Sequence, residues 1–142
     1  MVRRQILDVL KLLHTKKLTA LIAPSITGQF GAPVGKITTA LKQIGFEHVF
    51  EVALGADITA KKEAEEFENK LVVNKQQFMT TSCCQAYIRL VKKHLEKLKP
   101  YASDTYTPMH YTAEIAKQKY PDSITVFIGP CLSKRKEAQE DP

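Results

Sequence analysis

The sequence predicts an α/β fold, a largely parallel sheet flanked by helices, in a single domain over residues 1–142. Three observations carry this reading. Apolar runs of strand length alternate along the chain with longer segments of helical period. The clearest run, "SITVFIG", is β-branched and free of charge, the pattern of a strand buried on both faces. Three runs also end in similar turns rich in Pro, Ser or Cys, as parallel strands do when their carboxyl ends share one sheet edge.

The elements follow in order. Residues 3–14 place Ile6, Val9, Leu10 and Leu13 on one helical face. Residues 18–23, "LTALIA", read as a strand that stops at Pro24-Ser25, and the Gly- and Pro-rich "ITGQFGAPVG" follows as a loop. Residues 36–44 read as a helix ended by Gly45. "FEHVFEVAL" alternates as a strand, "GAD" breaks it, and 58–71 is a charged helix. "QQFMT" is a short strand candidate. Residues 83–98 carry Ile88, Val91, Leu95 and Leu98 on one helical face and stop at Pro100. A helix over 108–119 starts at Pro108, the strand 123–129 follows, and the tail is polar and helix-prone.

Composition narrows the class. The chain has three cysteines, an odd and low number that argues against a secreted disulfide scaffold and for a reducing compartment. The N-terminal "MVRRQILDVLKLLHTKK" is not a signal peptide, because Asp8, Lys11 and His14 interrupt its apolar stretch. No run reaches the length of a membrane span. The expectation is a cytoplasmic protein with no membrane partner. The net charge of +6 is spread over helical faces and not gathered with aromatics, which argues against nucleic acid.

The three turns hold the chemistry. "ALIA" runs into Pro24-Ser25, "QFMT" into Thr81-Ser82-Cys83-Cys84, and "VFIG" into Pro130-Cys131. A shared sheet edge would bring Ser25, Cys83, Cys84 and Cys131 together. A lone free cysteine is ordinarily a small buried hydrophobe. Here Thr81 or Ser82 is expected to cap the next helix, with Cys83 and Cys84 in its first turn. Unpaired N–H groups and the helix dipole there favour a thiolate. Lys134 and Arg135 would do the same for Cys131. A zinc site is poorly matched, since no C-x-x-C pair is present and no histidine has a cysteine-linked spacing. A Cys-His pair meeting only in space stays open. Adjacent side chains on a helix diverge, so Cys83 and Cys84 suit two different roles.

"TTSCCQAYIRLVKKHLEKLKP" resembles the first cluster motif of the iron-only (di-iron) hydrogenases, T-S-C-C-P followed by an aromatic. "IGPCLSKRKEA" is similar to their second, P-C-x-x-K-x-x-E. "IAPSITGQFG" resembles the family's A-P-S loop, and "LKQIGFEHVFEVALGAD" its connecting segment. The four stand in the family's order and cover nearly the whole chain.

The resemblance implies part of the hydrogenase catalytic fold and its H-cluster, a 4Fe-4S cluster joined to a di-iron subsite. By it, Cys84 and Cys131 would ligate the four-iron cluster. Cys83 would be the non-ligating thiol that passes protons to the di-iron subsite. Lys134 would hydrogen-bond a cyanide ligand there. Pro24, Ser25, Ser82 and Pro130 would shape the pocket, and Glu137 would belong to the proton path. The implied partner is a ferredoxin-like electron carrier or an attached ferredoxin domain.

Some residues depart from the family pattern. Gln85 stands where the family usually has Pro, Tyr87 where it has Trp, and Gly129 where productive enzymes usually have Met. The Gly form resembles branches held to be sensory. The family's third motif, E-x-M-A-C-x-x-G-C, brings the remaining two cluster ligands and is not found in residues 1–142. The expectation is therefore a fragment of a larger catalytic domain. It would be inactive alone, bind no cofactor by itself, lack a C-terminal half, and pair as a homodimer through exposed apolar surface. Two other readings share the fold: a non-catalytic redox or hydrogen sensor, and a scaffold for iron–sulfur assembly.

Overall fold

The computed structural model describes residues 5–140. Its sheet has three parallel strands, β1 (Leu18–Ile22), β2 (His48–Glu51) and β3 (Ile124–Ile128), in the order β2-β1-β3. Among the described residues there are six α-helices: α1 (Ile6–Leu13), α2 (Val34–Ile44), α3 (Ala53–Phe67), α4 (Gln85–His94), α5 (Pro108–Lys119) and α6 (Leu132–Glu140). The expected α/β class and parallel sheet are what the molecule has.

The strand residues alternate between two apolar layers. Leu18 and Ala20 pack with Phe46 against Val9, Leu12, Leu13 and Leu41 from α1 and α2. Leu21 faces the other way, with Val52, Ala116, Phe50, Ala113 and Phe127. Every residue of β1 is buried, because β1 is hydrogen-bonded on both edges and covered on both faces. Thr19 is tolerated there because its hydroxyl shares a 2.6 Å hydrogen bond with Ser123. The expectation that "SITVFIG" is the doubly buried strand is corrected. β3 pairs only with β1, its residues are half-buried, and Ile124 is exposed.

Other boundaries also move. In α1, Val9, Leu12 and Leu13 face the core, while Ile6 and Leu10 are exposed; the expected face was rotated. Positions 3 and 4 of that helix lie outside the described residues. α2 starts at Val34 behind Pro33 and ends as expected at Gly45, whose φ of +123° suits a residue without Cβ. α3 starts five residues before the expected 58, so "GAD" does not break the chain. Gly55 is there for space: a Cβ on it would lie 2.0 Å from the Pro108 carbonyl oxygen of α5. The Gly55 N–H instead donates to Thr112 Oγ1 at 3.2 Å.

"QQFMT" forms no strand. Only Thr80 pairs, in a single parallel bridge with Ala102, and Phe78 stacks on Tyr101 at 4.3 Å. No neighbouring strand extends the ladder. The helix expected over 83–98 is divided: α4 ends at His94, and a 3-10 segment, Glu96–Tyr101, absorbs Pro100. α5 keeps its expected bounds.

Candidate functional site

Two of the three turns leave the same sheet edge. The Ala23 N–H donates to the Ile128 carbonyl at 2.9 Å, just beyond the β1–β3 ladder. Pro24-Ser25, in the 3-10 turn Pro24–Ile26, and Pro130-Cys131 therefore depart side by side. Gly129 makes this close: a Cβ on it would lie 2.7 Å from the Phe127 ring and 3.0 Å from Ala23 Cβ. Ser25 is exposed, and its carbonyl accepts from Gln29 Nε2 at 2.7 Å.

The third turn is placed differently. No sheet strand leads into Thr81-Ser82-Cys83-Cys84; α3 and the segment after Tyr101 hold it. The Glu63 carboxylate of α3 accepts from the Thr81 hydroxyl at 2.7 Å and the Ser82 N–H at 2.9 Å. Ser82, 5% exposed, donates its hydroxyl to the Thr105 carbonyl. Cys84 is the N-cap residue of α4, with extended backbone, and Cys83 precedes it. The expected cap at Thr81 or Ser82 is corrected: both hydroxyls are used by Glu63 and Thr105, and the helix begins at Gln85. Thr81 Oγ1 does accept the Cys83 N–H, at 3.4 Å. Cys131 likewise stands immediately before the first residue of α6. The two helices meet in the Arg89–Glu140 ion pair at 2.5 Å.

A second carboxylate on the same stripe of α3 ties the neighbouring segment. Glu66 accepts from Ser103 Oγ at 2.5 Å, the Asp104 N–H at 3.0 Å, Thr105 Oγ1 at 3.0 Å and Lys70 Nζ at 2.6 Å. Burial alone would raise its pKa. The hydrogen bonds from Lys70, Ser103, Asp104 and Thr105 outweigh burial and hold it at about 2. Burial lowers the pKa of Lys70, but Glu66 and Asp104 more than reverse this, so it is raised. Lys70 sits in the π-helical turn Glu68–Val73 that ends α3.

Lys134 and Glu137 lie one turn apart on α6, with Lys134 Nζ donating to Glu137 Oε2 at 2.8 Å. The Thr107 hydroxyl donates to the other carboxylate oxygen. An open groove of about 610 Å³ runs beside the cysteine loop, between Ser82, Gln85, Ile88 and Tyr106.

All three cysteines are free and exposed, so the buried-hydrophobe reading does not describe them. Each histidine is at the surface or in an aromatic stack: His48 lies on Tyr120 at 3.4 Å and His110 on Tyr106 at 4.1 Å. Among the described residues, no three His, Cys, Asp or Glu side chains gather as a metal site. Cys84 and Cys131 stand at the starts of α4 and α6, and as exposed thiols they have the chemistry of iron ligands.

The comparisons decide the family. The family described as "Iron only hydrogenase large subunit, C-terminal domain" matches residues 16–142. This chain belongs to the iron-only hydrogenase large-subunit family. Iron hydrogenase 1 of Clostridium pasteurianum is 32% identical to it over 87% of this chain and 24% of its own length. The periplasmic Fe hydrogenase large subunit of Nitratidesulfovibrio vulgaris is 31% identical over 85% and 33%. A probable cytosolic Fe-S cluster assembly factor of Nematostella vectensis is 26% identical over 82% and 31%. Apo FeFe-hydrogenase HydA1 from Chlamydomonas reinhardtii superposes with a TM-score of 0.85 at 25% identity, over 98% of this chain and 41% of that one. The chain spans about a quarter to a third of these curated relatives.

Sequence reasoning missed Glu63 and Glu66. In the sequence they are two carboxylates of the charged helix over 58–71. Their signal was the spacing Gly55, Thr59, Glu63, Glu66, Lys70, a single helical stripe that faces other backbone and is half-buried at its charged end.

Proposed function

We propose that this chain supplies one wall of a hydrogenase catalytic pocket, in a protein that interconverts hydrogen with protons and electrons. The observation that carries the reading is the bond from Ala23 N–H to the Ile128 carbonyl, which sets the A-P-S and G-P-C turns of an iron-only hydrogenase domain at one sheet edge. Cys84 and Cys131 would hold a 4Fe-4S cluster as thiolates, and further ligands would come from outside residues 1–142. When bound, the H-cluster would supply the redox chemistry and the hydrogen-binding iron.

The residues of this chain then have separable tasks. Pro24, Ser25 and Pro130 shape the wall. Lys134 is a fixed donor for a cyanide ligand of the di-iron subsite. Cys83, beside a ligand and free, moves protons. Such a thiol needs a hydrogen-bonded route to solvent, and two carboxylate–hydroxyl groups stand beside the loop: Glu63 with the Thr81 hydroxyl, and Glu66 with the Ser103 and Thr105 hydroxyls. Glu137 is engaged by Lys134 and Thr107, so we assign it to holding Lys134 and not to that route. A ferredoxin-like carrier or domain is the proposed electron partner, and the cytoplasm the proposed compartment. Among the described residues, no helix is long and apolar enough to cross a membrane.

A second reading, a sensor, is favoured by Gly129, beside which the Phe127 ring takes the room that a side chain would need, and the similarity to an assembly factor keeps an assembly module as a third. The protein matured with its cofactor separates the three. Infrared bands of iron-bound carbonyl and cyanide with hydrogen evolution support the enzyme. Bands without turnover support the sensor. No bands despite bound iron leave the assembly reading.

A further inference from the structure

Glu137 is 7% exposed and is the only buried charged residue among the described residues. A carboxylate so placed is costly unless it is paired and hydrogen-bonded. Both of its oxygens are engaged. Thr107, itself 2% exposed, is the N-cap of α5. Its oxygen accepts the His110 N–H at 3.4 Å, which directs its one hydrogen to Glu137 Oε1. Glu137 Oε2 takes Lys134 Nζ at 2.8 Å, and the Lys134 side chain is 13% exposed. One fixed contact leads to the next, from a helix start to an ammonium group.

We propose that Glu137 and Thr107 form a positioning pair that fixes the Lys134 ammonium inside the protein before any cofactor arrives. Lys134 is flexible and strongly hydrated by nature, so an unheld ammonium turns to water. Held by one charge-assisted bond, it keeps two N–H donors for a neighbour. The use of those donors toward a cyanide ligand rests on the proposed function. The clamp is a property of this chain's own residues.

The test is acylation of lysines by acetic anhydride in metal-free protein, read peptide by peptide by mass spectrometry. Lys136, with a 57% exposed side chain, is the internal standard. Glu137→Gln should raise the Lys134-to-Lys136 rate ratio by about tenfold, the loss of about 1.4 kcal/mol of pairing. Thr107→Val should raise it less, and Thr107→Ser should leave it as it is. An unchanged ratio in Glu137→Gln overturns the proposal. So does an equal rise at Lys70, whose side chain is 17% exposed, which reports general loosening. If Glu137→Gln does not fold, the Thr107→Val and Thr107→Ser pair decides: equal ratios overturn the clamp. No metal is present, so a failed hydrogenase reading leaves these rates unchanged, and a failed clamp leaves that reading standing.

Discussion

The Glu63 carboxylate on α3 accepts the Ser82 backbone N–H at 2.9 Å. One side chain thereby holds the loop that presents Cys83 and Cys84. Glu63→Ala should cost roughly 1.5–3 kcal/mol, the range for a hydrogen bond to a charged group. Amide exchange should accelerate at residues 81–84 more than in β1. Equal exchange at both places would show that the loop is held by something else.

The Glu66–Lys70 pair predicts a pH profile. The folded Glu66 pKa of about 2 lies below the ordinary 4.5, so its stabilisation is present above about pH 4.5 and fades as pH falls toward 2. Lys70 is raised, so its share is present below about 10.5 and is lost as pH rises beyond it. Water reaches the pair, so the acid limb should amount to ~1–2 kcal/mol and not the full ~3 of the shift. Urea midpoints between pH 2 and 6, for the parent and Glu66→Gln, check this. The variant should show a flatter acid limb. Parallel limbs would refute the assignment.

Gly55 allows α3 and α5 to touch. Gly55→Ala drives a Cβ against backbone, since Pro108 O would lie 2.0 Å away. The helix-propensity gain of about 1 kcal/mol is then overwhelmed, and net destabilisation of ~1–3 kcal/mol is expected. Chemical denaturation measures it. A stabilised variant would contradict the close packing.

Gly129 and Phe127 compete for one space. Gly129→Met should destabilise by about 1–3 kcal/mol as an overpacked site, and Phe127→Ala in that background should recover part of it. Additive costs in the double variant would show that the ring is not what excludes the side chain.

The sequence and the molecule agree where local pattern suffices. β1, α5 and the Gly45 stop follow from apolar runs, a Pro at a helix start and a Gly after its end. The Pro24 and Pro130 turns were legible as edge partners because parallel strands impose that edge. Pattern failed where a residue answers to a distant segment. Gly55 looked like a breaker and is a contact with α5. "QQFMT" had strand character but no neighbour to pair with. Ile124–Ile128 had the character of a central strand and lies at the edge. Glu63 and Glu66 looked like surface charge because their partners lie many residues further along the chain.

The central claim is that the adjacent cysteines have different tasks. Iron content of the matured protein, compared among Cys83→Ser, Cys84→Ser and Cys131→Ser, tests it most directly. The account predicts that Cys84→Ser and Cys131→Ser lose the four-iron cluster, while Cys83→Ser keeps its iron and loses proton-coupled turnover. Loss of the cluster in Cys83→Ser, with retention in Cys84→Ser, would contradict it.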